Sequence, residues 1–339
     1  MNAAGLGFDP APLETYLRAA LPQADGTVRL ERVEGGQSNP TFFVDLGNLR
    51  LVLRKQPAGA LLPSAHAIDR EFRIQKALAQ TGFPVPEMLF YCEDRAIIGT
   101  PFYVMRRVEG RCFHDCAMPG LSPEQRGHGY RALALALARL HNAPFAEIGL
   151  GDYGRVGGYY VRQLARWTKQ WSLSKTRDDS HIEALIAWLG ANMPADDVTT
   201  IAHGDYRVGN VLLNRAPLEV SAVLDWELSS LGHPLADLAH FCIAWQSRPQ
   251  DYGGLRGVDL ARLGIPEQQA FEETYYQQAG HGLRMSAFHM VFALFRFAVI
   301  FEGIVARAKA GNAAGRDTSQ AAGIAAAFAH RAMEILEQA

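Results

Sequence analysis

The stretch His203-Gly204-Asp205-Tyr206-Arg207-Val208-Gly209-Asn210 puts an aspartate five positions before an asparagine. Ala222-Val223-Leu224-Asp225-Trp226 then brings a second aspartate at the end of an apolar run. Two carboxylates and an amide are the oxygen-bearing groups that phosphoryl transfer from a nucleotide needs: one carboxylate to orient an acceptor hydroxyl, the other with the amide to hold magnesium. Asp205 is the candidate for the first task, and Asn210 and Asp225 for the second. The bland reading is that His203 and Asp205 merely close a turn. A strand-borne aspartate fifteen residues beyond the asparagine argues against it.

These groups need elements to carry them. Short apolar runs at 199–202, 211–213 and 220–224 flank the loop, so the pattern reads strand, loop, strand, turn, strand, with all three side chains at one end of one small sheet. Upstream, Asp9-Pro10 starts an amphipathic helix through Leu13, Tyr16, Leu17, Ala20 and Leu21. Strands follow at 28–33, 41–45 and 49–53, broken by Gly35-Gly36 and Gly47-Asn48. A helix at 67–80 ends at Gly82, and strands at 87–92 and 101–106 complete a sheet-dominated region. Beyond it helices are expected at 126–141, 159–175 and 181–193, then from about 234, 266, 283 and 319, with a loop at 311–315. The chain is therefore expected to be α+β with two lobes: residues 1–107 a small, antiparallel-sheet N-terminal nucleotide-binding lobe, residues 108–339 a larger, mostly helical catalytic and substrate-binding lobe.

Composition narrows the partners. With 339 residues, 48% of them hydrophobic and 20% charged, the chain can bury a large core. A net charge of -2 leaves no electrostatic footprint for nucleic acid. No signal-like segment opens the chain, and the most apolar stretch, 288–301, is interrupted by Arg296 and reads as a buried helix, so no membrane partner and a cytoplasmic location are expected. Cys112-x-His114-x-Cys116 lacks a second ligand pair for zinc, and the four cysteines are expected as free thiols.

With these motifs in hand, the chain resembles the aminoglycoside phosphotransferase-like (phosphotransferase enzyme) family of the protein-kinase-like fold. Glu34-Gly35-Gly36-Gln37-Ser38-Asn39-Pro40-Thr41, Leu53-Arg54-Lys55, Asp69-Arg70-Glu71-Phe72 and Tyr159-Tyr160-Val161-Arg162-Gln163 through Arg166-Trp167 are similar to the kinase-like domain associated with acyl-CoA dehydrogenase family proteins. The resemblance implies ATP and Mg²⁺ as cofactors, bound between the lobes, and transfer of the γ-phosphoryl group to a small-molecule hydroxyl. It implies that Asp205 accepts the hydroxyl proton, that Asn210 and Asp225 bind the metal, and that Arg207 occupies a position where a cation meets the transferring group. His203 is expected to be structural. Gly35, Gly36 and Ser38 would lie at the phosphates, although GxGxxG is absent, as is the GK[ST] of a Walker loop. Glu71 would pair with a strand-borne cation; alternation from Val52 favours Arg54, with Lys55 its rival. Met105 and Val108 would bracket a hinge whose backbone holds the adenine edge, with the side chains of Arg106 and Arg107 toward solvent. Asp237 would buttress the loop, and Glu227 reads as a helix N-terminal charge rather than a second metal ligand.

The acceptor is read from charge. Residues 248–339 hold nine Asp/Glu and nine Lys/Arg, a balance that does not favour a polycation. Arg162, Arg166 and Arg296 on apolar-aromatic helices would suit a carboxylate or a CoA phosphate, or else simply line a core. A hydroxy acid or hydroxyacyl-CoA is thus the expected acceptor, with a functional link to acyl-CoA metabolism. An aminoglycoside or other small-alcohol kinase and a catalytically silent nucleotide-binding pseudokinase are the alternatives. Gly36-Gln37-Ser38 is no hydrolase elbow, because Pro40 stands where glycine is needed.

Overall fold

The computed structural model describes residues 6–33, 39–59, 66–215, 218–310 and 318–338. Gly35, Gly36, Ser38 and the expected loop at 311–315 lie outside the described residues. The chain divides into two compact units: residues 1–110 with 221–228, and residues 111–220 with 229–339.

In the first unit, helix α1 (Pro10–Ala20) begins where Asp9 accepts a hydrogen bond from the Ala11 N–H. Strands β1 (Val28–Arg32), β2 (Thr41–Leu46) and β3 (Leu49–Lys55) form an antiparallel meander. Helix α2 (Ile68–Ala79), β4 (Met88–Cys92), the short α3 (Arg95–Ile98), which the sequence did not signal, and β5 (Phe102–Arg106) complete it. The sheet order is β1-β2-β3-β5-β4. Alternation sorts the two faces. Leu51 and Leu53 join Leu13 and Leu17 of α1 with Phe42, Val44, Phe102 and Val104. Val52 faces the other way, among Ile68 of α2, Met88, Tyr103 and Met105.

Residues 221–228 were expected in the second lobe but pack with the first unit. The Val223 N–H donates to Pro84 C=O (2.8 Å), and Trp226 meets Phe83 edge-on (6.0 Å). These contacts bring the 3-10 turn Trp226–Leu228, which follows strand β8 (Val220–Val223), close to α2.

The second unit is built on helices α4 (Pro123–His141), α5 (Tyr159–Ser174) and α6 (Ser180–Ala191), the strands β6 (Thr200–Ala202), β7 (Val211–Leu213) and β9 (Ser230–Gly232), and then α7 (Pro234–Gln246), α8 (Pro249–Tyr252), α9 (Leu260–Leu263), α10 (Gln268–Tyr276), α11 (Ala287–Lys309) and α12 (Thr318–Gln338). The single small sheet expected around the loop is not what forms. Strand β6 pairs with β9, which the sequence reading did not contain, and Leu213 of β7 bridges to Arg111. Helix α11 starts at Ala287, not near 283, because Ser286 and His289 close a capping box there. It is long and apolar enough to cross a membrane, yet 78% of its apolar window is buried inside the protein, against α12, α7 and α5.

Gly47 sits first in the two-residue turn between β2 and β3 with φ of +59°, a positive angle that suits a hairpin, and a Cβ there would lie 1.7 Å from the Asp25 carbonyl oxygen. Gly47→Ala should lower the unfolding free energy by more than about 1 kcal/mol through backbone strain alone. Urea denaturation of the two proteins checks this; an unchanged midpoint would contradict the turn geometry.

Candidate active site

In the second unit, the chain leaves β6 at Ala202 and turns at Gly204, where φ is +83°. What holds this turn is the Asp237 carboxylate, in the first turn of α7 and 1% exposed. It accepts the backbone N–H groups of His203 (2.6 Å) and Gly204 (2.9 Å) and faces His141 Nε2 at 3.4 Å. Burial works against ionisation of Asp237, but these donors, His141 first, keep its carboxyl below the usual range. His203 is buried, and its Nδ1 accepts the Asp205 N–H (3.2 Å), so it shapes the loop. Tyr206 anchors the far side by donating to Leu133 C=O (2.8 Å).

The Asp205 side chain has a defined partner for each oxygen. Oδ1 lies 3.0 Å from His240 Nε2, and Oδ2 accepts from Asn210 Nδ2 (2.7 Å) with Arg207 Nε at 3.4 Å. Burial alone would raise its pKa; the hydrogen bond from His240 first, then the Arg207 guanidinium, outweigh it and hold the carboxyl well below the usual range. Asn210 Nδ2 also donates to the Asp205 C=O (2.9 Å), which leaves Oδ1 as the amide atom able to meet a cation. His240 was not among the sequence candidates. Its signal was present, because it falls three residues after Asp237 and so on the same face of α7. Beside the loop lies a cavity of about 350 Å³, lined among others by Arg207, His240, Phe241, Phe297, Tyr252 and Cys116. Burial pushes the Cys116 thiol up to about 12, so it lines the cavity as a neutral group.

In the first unit, Arg54 and Lys55 diverge because consecutive strand residues point to opposite faces. Lys55 is buried on the α1 side, its Nζ 5.7 Å from the Phe8 ring. Arg54 points to the α2 side and is shared by three carboxylates: Glu71 (Nε to Oε2, 2.9 Å), Asp225 (Nη2 to Oδ1, 3.0 Å) and Glu227 (Nη2 to Oε2, 3.5 Å). Glu71 is 1% exposed and accepts from Asn39 Nδ2 (2.7 Å) and the Tyr103 hydroxyl (3.0 Å). Burial pushes its carboxyl up to about 7 against the pull of Arg54, as expected where one guanidinium serves three carboxylates. Glu227 belongs to this cluster. Asp225 adopts φ of +65°, the left-handed region that aspartate tolerates better than most residues and that marks a conformation held by its surroundings.

A hard divalent cation fits this chemistry. Within the first unit, the carboxylates of Asp225 and Glu227 leave the Arg54 cluster with negative charge in excess, hard oxygen donors of the kind such a cation takes. Met105 is buried in β5 and Val108 follows it half-buried. Of the neighbouring arginines, Arg106 has an exposed side chain, as expected, pairing with Glu87 (3.0 Å), whereas Arg107 is half-buried, its guanidinium 3.8 Å from the Phe43 ring centroid.

The three arginines read as anion-binding all act on the charge of one residue, Tyr159. Burial raises the Tyr159 hydroxyl pKa, while Arg296, Arg166 and Arg162 all pull it down. Their commitments differ. Arg162 donates to the carbonyls of Gly157 and Arg155, which ties down the turn before α5. Arg296 Nη2 donates to Gly204 C=O (2.6 Å), and its guanidinium lies 5.6 Å from the Trp167 ring. Arg166 is exposed, 5.3 Å from the same ring.

Comparison with known proteins places this arrangement. Residues 29–279 match the phosphotransferase enzyme family, which is most of the chain. The chain belongs to that family. A solved protein of Ralstonia eutropha JMP134, provisionally named an aminoglycoside phosphotransferase, is 37% identical with a TM-score of 0.89 over 98% of this chain and 99% of its own. Acyl-CoA dehydrogenase family member 10 of Mus musculus is 41% identical over 327 residues, 95% of this chain but 30% of the mouse protein. The chain therefore spans less than a third of that relative. Choline kinase of Cryptosporidium parvum, 14% identical with a TM-score of 0.66 over 97% of both chains, shares the fold. This phosphotransferase-family chain thus has the kinase-like fold, a small antiparallel sheet unit and a larger helical one.

The Glu71 carboxyl makes a pH prediction. An ordinary glutamate titrates near 4.5 and this one near 7, so the folded chain holds more protons in between, and its contribution is fully present below 4.5 and lost as pH rises through 7. Glu71→Gln should flatten the fall in stability across that window, a difference on the order of a few kcal/mol at most. Urea unfolding at pH 5 and pH 8 measures it; equal slopes for both proteins would show that Glu71 stays ionised throughout.

Proposed function

We propose that this phosphotransferase-family chain is an ATP-dependent kinase that transfers the γ-phosphoryl group to a hydroxyl of a small molecule. The observation that carries the reading is the Asp205 carboxylate. It is held ionised and oriented by His240 and Asn210 beside a cavity of about 350 Å³. A carboxylate with a depressed pKa is a poor base. That is adequate here, because a loose transition state asks the protein to aim the hydroxyl and to take its proton late. Asp205 is assigned that task, and Arg207 the stabilisation of charge on the group in transit. Arg54, paired with Glu71, which Asn39 and Tyr103 hold in turn, is assigned to the phosphates with Gly35, Gly36 and Ser38, and the backbone around Met105 and Val108 to the adenine edge. Asn210 and Asp225 would hold Mg²⁺, which when bound neutralises phosphate charge.

The acceptor we favour is a small hydroxy compound bearing a carboxylate or a CoA thioester. The cavity lies at the small end of the range for ligand sites, so it suits the reactive end of such a molecule more than a whole polycationic sugar. The exposed Arg166 guanidinium, and Arg296 bonded to the Gly204 C=O of the Asp205 loop, supply positive charge that favours an anion. The likeness to proteins named for acyl-CoA dehydrogenase agrees with this.

Mg·ATP at about 100 times its dissociation constant should stabilise the protein by about 2.7 kcal/mol. Asp205→Asn should keep that shift while turnover falls by about 10²- to 10⁴-fold. Asp225→Ala should instead lose the magnesium-dependent part of binding. Thermal-shift titration and ADP release read the two effects separately. No shift with ATP and magnesium together would remove the kinase reading. Phosphate transfer is then screened against hydroxy acids, their CoA thioesters, sugars, choline-like alcohols and aminoglycosides. Transfer to aminoglycosides alone would overturn the acceptor class.

A further inference from the structure

We infer that His240 is the positioning residue for the Asp205 carboxylate, acting as an uncharged hydrogen-bond donor that fixes which oxygen faces the acceptor hydroxyl. The inference rests on the kinase reading above and adds to it a residue outside the phosphotransferase motif.

The geometry makes the case in three steps. His240 is 5% exposed, on α7, with Nε2 3.0 Å from Asp205 Oδ1. An ionised carboxylate only accepts, so Nε2 carries the proton. The other ring nitrogen, Nδ1, is buried and has no hydrogen-bond partner among the described residues. A second proton on Nδ1 would be a buried donor with nothing to receive it, which disfavours the cation. Burial of the ring, with Phe297 packed against it at 5.1 Å, and the Arg296 guanidinium on the helix facing α7 oppose a further positive charge and outweigh the opposite pull of Asp205 and Asp237. His240 therefore orients Asp205 without neutralising it. A lysine or arginine in its place would pin the carboxylate and cancel the charge that attracts the hydroxyl proton. The anchoring is also economical in its origin. Asp237 and His240 lie one helical turn apart, so a single helix sets both the backbone of the loop and the rotamer of its carboxylate.

The test uses the whole chain and two variants, with water as the acceptor so that no substrate need be known. His240→Gln retains an N–H donor of similar reach, and His240→Leu removes it. His240→Leu should lower kcat for ADP release from Mg·ATP by about 10²-fold, the scale of a misplaced reacting group, with the KM for ATP within about 2-fold. His240→Gln should recover most of that loss. In an Asp205→Asn background, His240→Leu should have no further effect on kcat. Independently of activity, ¹⁵N NMR of the wild-type ring should show Nε2 protonated and Nδ1 bare. Equal losses in both variants, additivity with Asp205→Asn, unchanged kcat in His240→Leu, or an Nδ1-protonated ring would each overturn the proposal. Wild-type protein that binds Mg·ATP but releases no ADP to water leaves the ring tautomer to decide the pairing with Asp205, and an Nδ1-protonated ring then overturns the proposal while the acceptor screen decides the kinase reading.

Discussion

Asp237 carries the second unit's candidate site. A carboxylate that is 1% exposed can remain ionised only if donors surround it, and here two of those donors are consecutive backbone N–H groups of the catalytic loop. The loop thereby takes its shape from a charge, and the charge is tolerated because of the loop. His141 closes the arrangement from α4 and is itself bonded to the Tyr275 hydroxyl (2.6 Å), which meets His281 Nε2 (2.7 Å). A loop supported in this way presents Asp205, Arg207 and Asn210 without needing a regular strand beneath each of them. That explains how strands of three residues suffice around it.

The first unit solves a different electrostatic problem. Three carboxylates converge on one guanidinium, and the strand pleat decides which basic residue it is. Of two adjacent cations, Arg54 faces α2 and Lys55 faces α1. Arginine suits the place better than lysine would, because its fork reaches Glu71 with one nitrogen and Asp225 and Glu227 with another. Tyr103 and Asn39 complete the coordination of Glu71, so the helix, the strand and the Asp225 segment are tied through one buried residue.

Spacing made the loop legible. Asp205, Asn210, Asp225 and Asp237 could be picked out because their chemistry sits at short, fixed separations, and alternation from Val52 picked Arg54. Interactions distant in sequence were harder to read. Asn39 and Tyr103 lie 32 residues on either side of Glu71 and have no local pattern linking them to it. The return of residues 221–228 to the first unit depends on contacts with Phe83 and Pro84, over a hundred positions upstream. Strand β9 is a three-residue ladder partner with no periodicity to detect. His240 is the exception, since its helical offset from Asp237 could have been noticed. The arginines were recognised as a group, but the division of labour among them was not. Whether a guanidinium meets a backbone carbonyl or solvent depends on turns such as the one before α5, and composition does not encode those.

Helix α11 has one more consequence, for the newly made chain. Its sequence passes for a bilayer span, and packing against α12, α7, α5 and α6 hides that character. Before those partners have formed, the segment is a candidate for mistaken insertion by the translocation machinery. Arg296 near its middle opposes this, because a central arginine costs roughly 2.5–3.5 kcal/mol on insertion scales. The guanidinium that fastens the Gly204 carbonyl in the folded protein is thus also the group that makes lipid a costly alternative for the segment before it packs.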